Sequence, residues 1–210
     1  MAATFGTALL SGQGCALPTR TYVHDEVYDV VVEKILQVLG SLRVGDPLDP
    51  ATFIGPVVTE AAMERILGVV ARARDEGARV LAGGDRLGGE LASGWFVAPT
   101  VFGDVDHDSA LARDEVFGPV QAILRFSSED EVVAKANDSD LGLAAYVHTA
   151  DAARVQRIVD SVEAGTVVVN GAGGMSPAAP FGGYKQSGFG REGGRAGIEE
   201  MVRRKTVFVG

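Results

Sequence analysis

Apolar residues recur along this chain at two spacings, and the spacings take turns. Residues 19–23 alternate β-branched and aromatic side chains like a short strand. From Asp25 the apolar positions Val27, Val31, Ile35, Val38 and Leu42 advance by three and four, which predicts an amphipathic helix. Prolines and glycines crowd residues 44–56, so the helix ends before them and a loop follows. Met63, Ile66, Leu67 and Val70 share one face of a second helix that ends near Gly77, and residues 79–81 read as a strand. Residues 83–94 are a glycine-rich excursion suited to a surface loop or hairpin, and residues 96–105 read as extended. Residues 120–126 form a compact apolar run of the kind buried on both faces of a sheet. Ser128 with Glu131 makes a capping box that opens the next helix.

The beat then repeats, with a strand at 144–148, a helix at 152–162 and a strand at 166–170. Strands and helices alternating at this interval imply right-handed crossovers, hence an α/β fold with a parallel sheet covered on both faces. A long glycine-rich loop, 171–194, breaks the rhythm directly after a strand and carries Lys185, Arg191 and Glu192. Loops beyond the carboxyl ends of such strands are where ligands usually sit, so this loop is a site candidate. A helix near 196–204 and a terminal strand at 206–209 close the chain.

Charge and composition narrow the partners. The 28 acidic residues against 19 basic ones leave a net charge of -9, a surface that repels a phosphate backbone, so nucleic acid is not an expected partner. No apolar run approaches the roughly 20 residues that span a bilayer, and residues 1–10 carry no basic stretch ahead of their short apolar one, so the expected setting is cytoplasmic and free of membrane. One cysteine, Cys15, excludes an internal disulfide and a zinc site built on several thiolates. The histidines His24, His107 and His148 lack the spacing that puts two imidazoles on one helical face, so no metal is expected.

Three segments can carry chemistry. Cys15 follows Gly12-Gln13-Gly14, and flanking glycines let backbone N–H groups converge on one oxygen, as a nucleophile attacking a carbonyl requires. Taken alone, a lone cysteine reads more readily as a small buried apolar residue. In Asp114-Glu115-Val116-Phe117-Gly118-Pro119-Val120, the carboxylate and the ring suit paired hydroxyls beside a flat heterocycle, or equally a helix-ending acid next to a core phenylalanine. Pro180-Phe181-Gly182-Gly183-Tyr184-Lys185-Gln186-Ser187-Gly188 looks like a phosphate cradle but lacks the Walker lysine and serine and opens no helix, so a tight turn beside an aromatic wall is the better local reading. His24 abuts a helix start and reads as a capping or packing residue.

Taken together and in order, these segments resemble the C-terminal catalytic part of the aldehyde dehydrogenase superfamily. The resemblance is carried by Gly12-Gln13-Gly14-Cys15, Gly45-Asp46-Pro47-Leu48-Asp49-Pro50, Gly55-Pro56, Glu115-Val116-Phe117-Gly118-Pro119-Val120, Ala136-Asn137-Asp138, Gly165-Thr166-Val167-Val168-Val169-Asn170, the 180–188 stretch and Gly190-Arg191-Glu192-Gly193. It implies a three-layer sandwich around a mostly parallel sheet. It also implies a Cys15 thiolate that attacks an aldehyde and passes through a thioester to the acid, with NAD or NADP as cofactor. By the same match Glu115 binds the nicotinamide-ribose hydroxyls, Phe117 packs at that end of the cofactor, and Phe181 and Met175 line the aldehyde tunnel.

Family members are well over twice this length, so the resemblance also implies a truncated chain. Missing by that match are the cofactor domain, the asparagine completing the oxyanion hole and the glutamate acting as deacylation base. On this basis residues 1–204 are expected to form the cysteine-bearing domain and 205–210 a C-terminal oligomerisation strand, giving a homo-oligomer with little activity of its own. Two other readings compete: a non-catalytic module that pairs with itself or a separate N-terminal chain through that strand, and a cysteine hydrolase using Cys15 with His24.

Overall fold

The structure is a computed structural model that describes residues 4, 7–173 and 176–210. Its contacts divide the chain into two units, residues 1–135 and 136–210.

The first unit is built on a four-stranded sheet. In chain order its strands are β1 (Arg20–His24), β2 (Arg79–Ala82), β3 (Thr100–Gly103) and β4 (Val120–Phe126), and in space they run β1-β4-β3-β2. β4 pairs in parallel with β1 and with β3, at Arg20↔Ala122 and Thr100↔Val120, while β2 runs antiparallel to β3. The helices are α1 (Tyr28–Ser41), α2 (Glu60–Asp75), the single turn α3 (Ala110–Arg113) and α4 (Glu129–Asn137), whose last two residues belong to the second unit.

Helices cover both faces of this sheet because β4 alternates two apolar sets. Val120, Ala122 and Leu124 join Phe102 against Met63, Ile66, Val70 and Ala73 of α2. On the other face Ile123, with Val101 and Val23, meets Tyr28, Val32 and Ile35 of α1. A strand apolar at every position can be buried on two sides at once, and the first five residues of β4 are fully buried. Gln121 is the polar exception, and its buried amide donates to Thr21 Oγ1 at 2.8 Å, so it stays satisfied. The expected α/β layering is thus present in this unit, with one antiparallel strand added at the edge.

Three details differ from the sequence expectation. The stripe of α1 is rotated by one residue: Tyr28, Val32 and Ile35 are buried, while Val27 is 48% exposed. The cause is a tight turn at Asp25–Val27, capped by His24, which delays the α-helix until Tyr28. Tyr28 then fixes the register, since its hydroxyl accepts from the Asp104 N–H at 2.6 Å and the Arg125 guanidinium lies 3.5 Å over its ring. At α4, Ser128 Oγ accepts from the Glu131 N–H as expected, but the Glu131 carboxylate reaches one residue further, taking the N–H and hydroxyl of Ser127 at 2.8 and 2.7 Å. The third difference is the C-terminal segment described below.

In the second unit, β5 (Leu141–Gly142) pairs antiparallel with β8 (Tyr184–Lys185), and β6 (Ala144–Val147) pairs in parallel with β7 (Thr166–Val169) across α5 (Ala152–Ser161). Asp151 caps α5, accepting from the N–H groups of Ala153 and Arg154. The last helix, α6 (Gly194–Glu200), is shorter than its apolar pattern suggested. Residues 206–209 form no strand: no described segment lies alongside to supply a ladder, and Val207, Phe208 and Val209 are 71%, 93% and 90% exposed. No described helix is long and apolar enough to cross a membrane.

Candidate active site

The segment before Cys15 is held in an uncommon backbone conformation. Leu10, Ser11 and Gly12 follow one another at φ of 52°, 56° and 73°. Left-handed backbone costs a non-glycine residue about 1–2 kcal/mol, so two such residues in a row persist only where surrounding contacts fix them. Those contacts are present. Ser11 Oγ donates to the Gly55 carbonyl at 2.9 Å, and Gln13 Oε1 accepts from the Val58 N–H at 2.9 Å. Gly12 lies flat against Gly118, where a built Cβ would overlap the Gly118 carbonyl and come within 2.5 Å of Pro119 N. Just past this clamp the Cys15 thiol is exposed.

The segment pressed against Gly12 is the one bearing Glu115 and Phe117. Val116 is buried while Glu115 is exposed and Phe117 is 39% exposed, so the carboxylate and the ring stand out from a buried anchor. Helix α2 holds the segment from behind. Arg65 Nη1 donates to the Val116 carbonyl at 2.6 Å and Nη2 to the Phe117 carbonyl at 3.4 Å. Ile66 fills the space that a Cβ on Gly118 would need. Phe117 itself has a φ of 49°. The structure therefore brings together the two loops that carry Cys15, Glu115 and Phe117. They meet at the amino ends of β1 and β4, opposite to the carboxyl-end location usual for open α/β sheets.

His24 sits elsewhere. It ends β1, about 13 Å along the strand from Arg20 at ordinary strand rise. Its Nδ1 accepts from the Glu26 N–H at 3.3 Å, which leaves the proton on Nε2, 3.2 Å from the Ser127 carbonyl. Phe126 meets the ring edge-on at 5.2 Å. His24 is a cap and a packing group, as its sequence position indicated, and both ring nitrogens are already engaged.

In the second unit, Phe181 is half-buried and exchanges two backbone hydrogen bonds with Glu192, at 2.7 and 2.8 Å. Arg191 Nη1 donates to the carbonyls of Gly183, Phe189 and Gly190. Lys185 donates to the carbonyls of Asn137 and Ser139 and pairs with Glu163 at 2.6 Å. Both cations of the loop are thus engaged in holding its own turns, which favours the tight-turn reading over a phosphate cradle. Met175, the other expected tunnel residue, lies outside the described residues.

Asp151 is held below its ordinary value by the Arg154 and Ala153 N–H groups that it caps in the second unit; the other ionisable groups with displaced titration lie at the far end of the first sheet. Burial raises the Tyr28 hydroxyl above its ordinary value. Burial also opposes ionisation of Asp104, but hydrogen bonding and charge from Arg125, with Arg79 beyond, outweigh it and lower that carboxyl. The Lys135 ammonium, helped by Ser127, brings Glu131 from 4.5 down to about 2.

The chain is similar to known proteins over nearly its whole length. Residues 1–207 match the aldehyde dehydrogenase family. A betaine aldehyde dehydrogenase of Brucella anthropi is 43% identical over 209 residues, covering 99% of this chain and 43% of its own length. The crystal structure of a Mycobacterium tuberculosis aldehyde dehydrogenase complexed with NAD+ superposes with a TM-score of 0.95 at 39% identity, over 100% of this chain and 43% of the other. A Staphylococcus aureus betaine aldehyde dehydrogenase, solved with NAD+ and a BME-modified cysteine, gives a TM-score of 0.92 at 34% identity, over 95% of this chain and 41% of the other. The chain thus spans less than half the length of the relatives it matches.

Proposed function

Because the chain belongs to the aldehyde dehydrogenase family, we propose that it is the cysteine-bearing part of an NAD(P)-dependent enzyme oxidising an aldehyde to a carboxylic acid, with Cys15 as nucleophile. One observation supports this most: the exposed Cys15 follows a loop clamped directly against the segment that presents Glu115 and Phe117 to solvent. Buried apolar packing, the ordinary fate of a lone cysteine, would have removed the thiol from chemistry.

In this reading the Cys15 thiolate forms a bond to the aldehyde carbon, and the carbonyl oxygen takes the negative charge. The backbone N–H of Cys15 is one donor to that oxyanion. Loss of the aldehyde hydrogen as hydride, to NAD or NADP were one bound, would turn that adduct into a thioester on Cys15, from which water releases the acid. The surroundings suit one end of a dinucleotide: a carboxylate able to accept from paired hydroxyls stands one residue from a ring able to pack on a flat heterocycle. When bound there, NAD or NADP supplies the hydride acceptor. The resemblance also implies that Phe181 and Met175 set which aldehyde shapes enter. A cytosolic setting belongs to this reading, since a lone exposed thiol stays reduced there.

Turnover by these residues alone is expected to be slow, because Glu115 and Phe117 address only the nicotinamide end and so small a surface holds a dinucleotide weakly. Treating the chain with an activated acetate ester and mapping its peptides should find the acetyl group on Cys15 and none in Cys15→Ser. Acetylation that ignores Cys15 overturns the assignment.

A second reading concerns assembly. The exposed Val207, Phe208 and Val209 end the second unit as a segment that would gain a ladder by adding to a sheet edge of another copy. Light scattering should report a homo-oligomer that a chain ending at residue 204 does not form. A concentration-independent monomer refutes this.

A further inference from the structure

On the reading of Cys15 as nucleophile, we propose that Gln13 is the positioning residue of that thiol. Its carboxamide ties the left-handed turn before Cys15 to Val58 and thereby fixes where the Cys15 N–H points relative to its own sulfur.

Both ends of the amide are in use. Gln13 Oε1 accepts from the Val58 N–H at 2.9 Å, and Nε2 donates to the Leu10 carbonyl at 3.2 Å. The Gln13 N–H also donates to the Leu10 carbonyl, at 3.1 Å, so one oxygen gathers two donors and closes the turn. Val58 is a firm anchor, because the next residue, Thr59, caps α2 by accepting from the Ala62 N–H. Upstream, Ser11 ties the loop to Gly55 and Gly12 packs on Gly118.

Downstream of Gln13 the loop closes on a long hydrogen bond, from the Leu17 N–H to the Gly14 carbonyl at 3.4 Å. Gly14 has no side chain, so Gln13 is the last side chain ahead of the Gly14–Cys15 peptide, whose N–H is the oxyanion donor of the proposed reaction. Removing the tie leaves that peptide held from its downstream side by the long Leu17–Gly14 hydrogen bond, and so looser, while the thiol stays exposed. The consequence is selective: reactions that build an oxyanion beside the sulfur suffer, and simple displacements at the sulfur do not.

The single cysteine makes this measurable on the whole chain. Iodoacetamide alkylates the thiolate by displacing iodide, with no oxyanion. With p-nitrophenyl acetate the thiolate attacks the carbonyl carbon, a tetrahedral oxyanion forms, and nitrophenolate leaves with the bonding pair as the thioester is made; the thiol proton has already gone to solvent. The ratio of the two rates at one pH cancels exposure and thiolate fraction and reports the geometry of the N–H.

Gln13→Met fills the same space without either hydrogen bond and should lower the acylation-to-alkylation ratio by about tenfold, with far-UV CD unchanged. Gln13→Glu keeps an oxygen for Val58 but not the donor to Leu10, so its ratio should fall between. A wild-type ratio in a folded Gln13→Met overturns the positioning role; if that variant does not fold, a wild-type ratio in Gln13→Ala, which removes the same two hydrogen bonds, does so. Wild-type chain that alkylates but never acylates defeats the nucleophile reading and this inference with it, whereas efficient wild-type acylation with an unmoved ratio in the variants defeats the positioning role alone.

Discussion

Replacing Gly12 by alanine adds one methyl group at the point where the two site loops touch. The size of its effect can be worked from the structure. At a φ of 73° any L-residue pays the left-handed penalty, about 1–2 kcal/mol. The new Cβ would also lie within 2.5 Å of Pro119 N and overlap the Gly118 carbonyl, both backbone atoms with no rotamer to yield. Gly118 is itself held, since Arg65 binds the carbonyls of Val116 and Phe117 just before it. The Cys15 loop must therefore lift away, which strains the Ser11–Gly55 and Gln13–Val58 hydrogen bonds, each worth about 1 kcal/mol. Together these give a loss of about 3–4 kcal/mol, a large share of a domain's usual stability of about 5–15 kcal/mol. Urea unfolding followed by fluorescence of Trp95, the sole tryptophan and a residue of the first unit, reads the change. Gly68→Ala supplies the control: the same methyl group, placed in the exposed middle of α2 with no atom nearby, should stabilise by about 0.5–1 kcal/mol. If the two variants shift the midpoint alike, or if Gly12→Ala unfolds like wild type, the argument from close backbone packing is refuted.

Other substitutions test other parts of the reading. Cys15→Ser, at an exposed position, should leave the urea midpoint within about 0.5 kcal/mol of wild type while abolishing acylation; a large loss of stability would mean that the thiol is structural. Lys185→Ala removes a cation that two carbonyls and Glu163 share, and should cost the second unit about 1–2 kcal/mol, read by hydrogen exchange at β5 and β8; unchanged protection there would show the contacts to be incidental. Glu131 has a folded value of about 2 against 4.5 ordinarily, so the stability it confers is present above the ordinary value and lost as pH falls from there toward 2. Glu131→Gln should flatten the helical CD signal of α4 across that window, and an acid transition identical to wild type would refute the linkage.

Much of the architecture was legible because burial leaves a periodic trace. The β4 run, the two amphipathic helices and the β6–α5–β7 unit all follow from spacing alone, and the alternation of buried Val116 with exposed Glu115 and Phe117 fits a ligand-facing reading of that segment. What spacing could not supply was phase and partners. A tight turn of three residues rotated α1 by one position, and the Glu131 carboxylate chose Ser127 over its neighbour because both Ser127 groups lay within reach. The C-terminal apolar residues looked like a strand, but a strand exists only beside another backbone, and residues 206–209 have none along them among the described residues. Gln13 and Arg65 left no mark of their role at all. Their partners lie 45 and 51 residues away, and nothing in either side chain announces which backbone group it will meet.

Helix α2 is the common frame of the site. Its N-terminal approach offers the Val58 N–H to Gln13, Arg65 holds the carbonyls of Val116 and Phe117, and Ile66 backs Gly118, on which Gly12 rests. The Cys15 loop and the Glu115–Phe117 segment are therefore referenced to one rigid body rather than to each other alone. A shift of α2 against the sheet would carry both loops with it and preserve their spacing, while a change within either loop would not. This explains how side chains on irregular, left-handed backbone can hold a fixed geometry: the loops carry the strain, and a helix anchored by Met63, Ile66 and Val70 in the core carries the register.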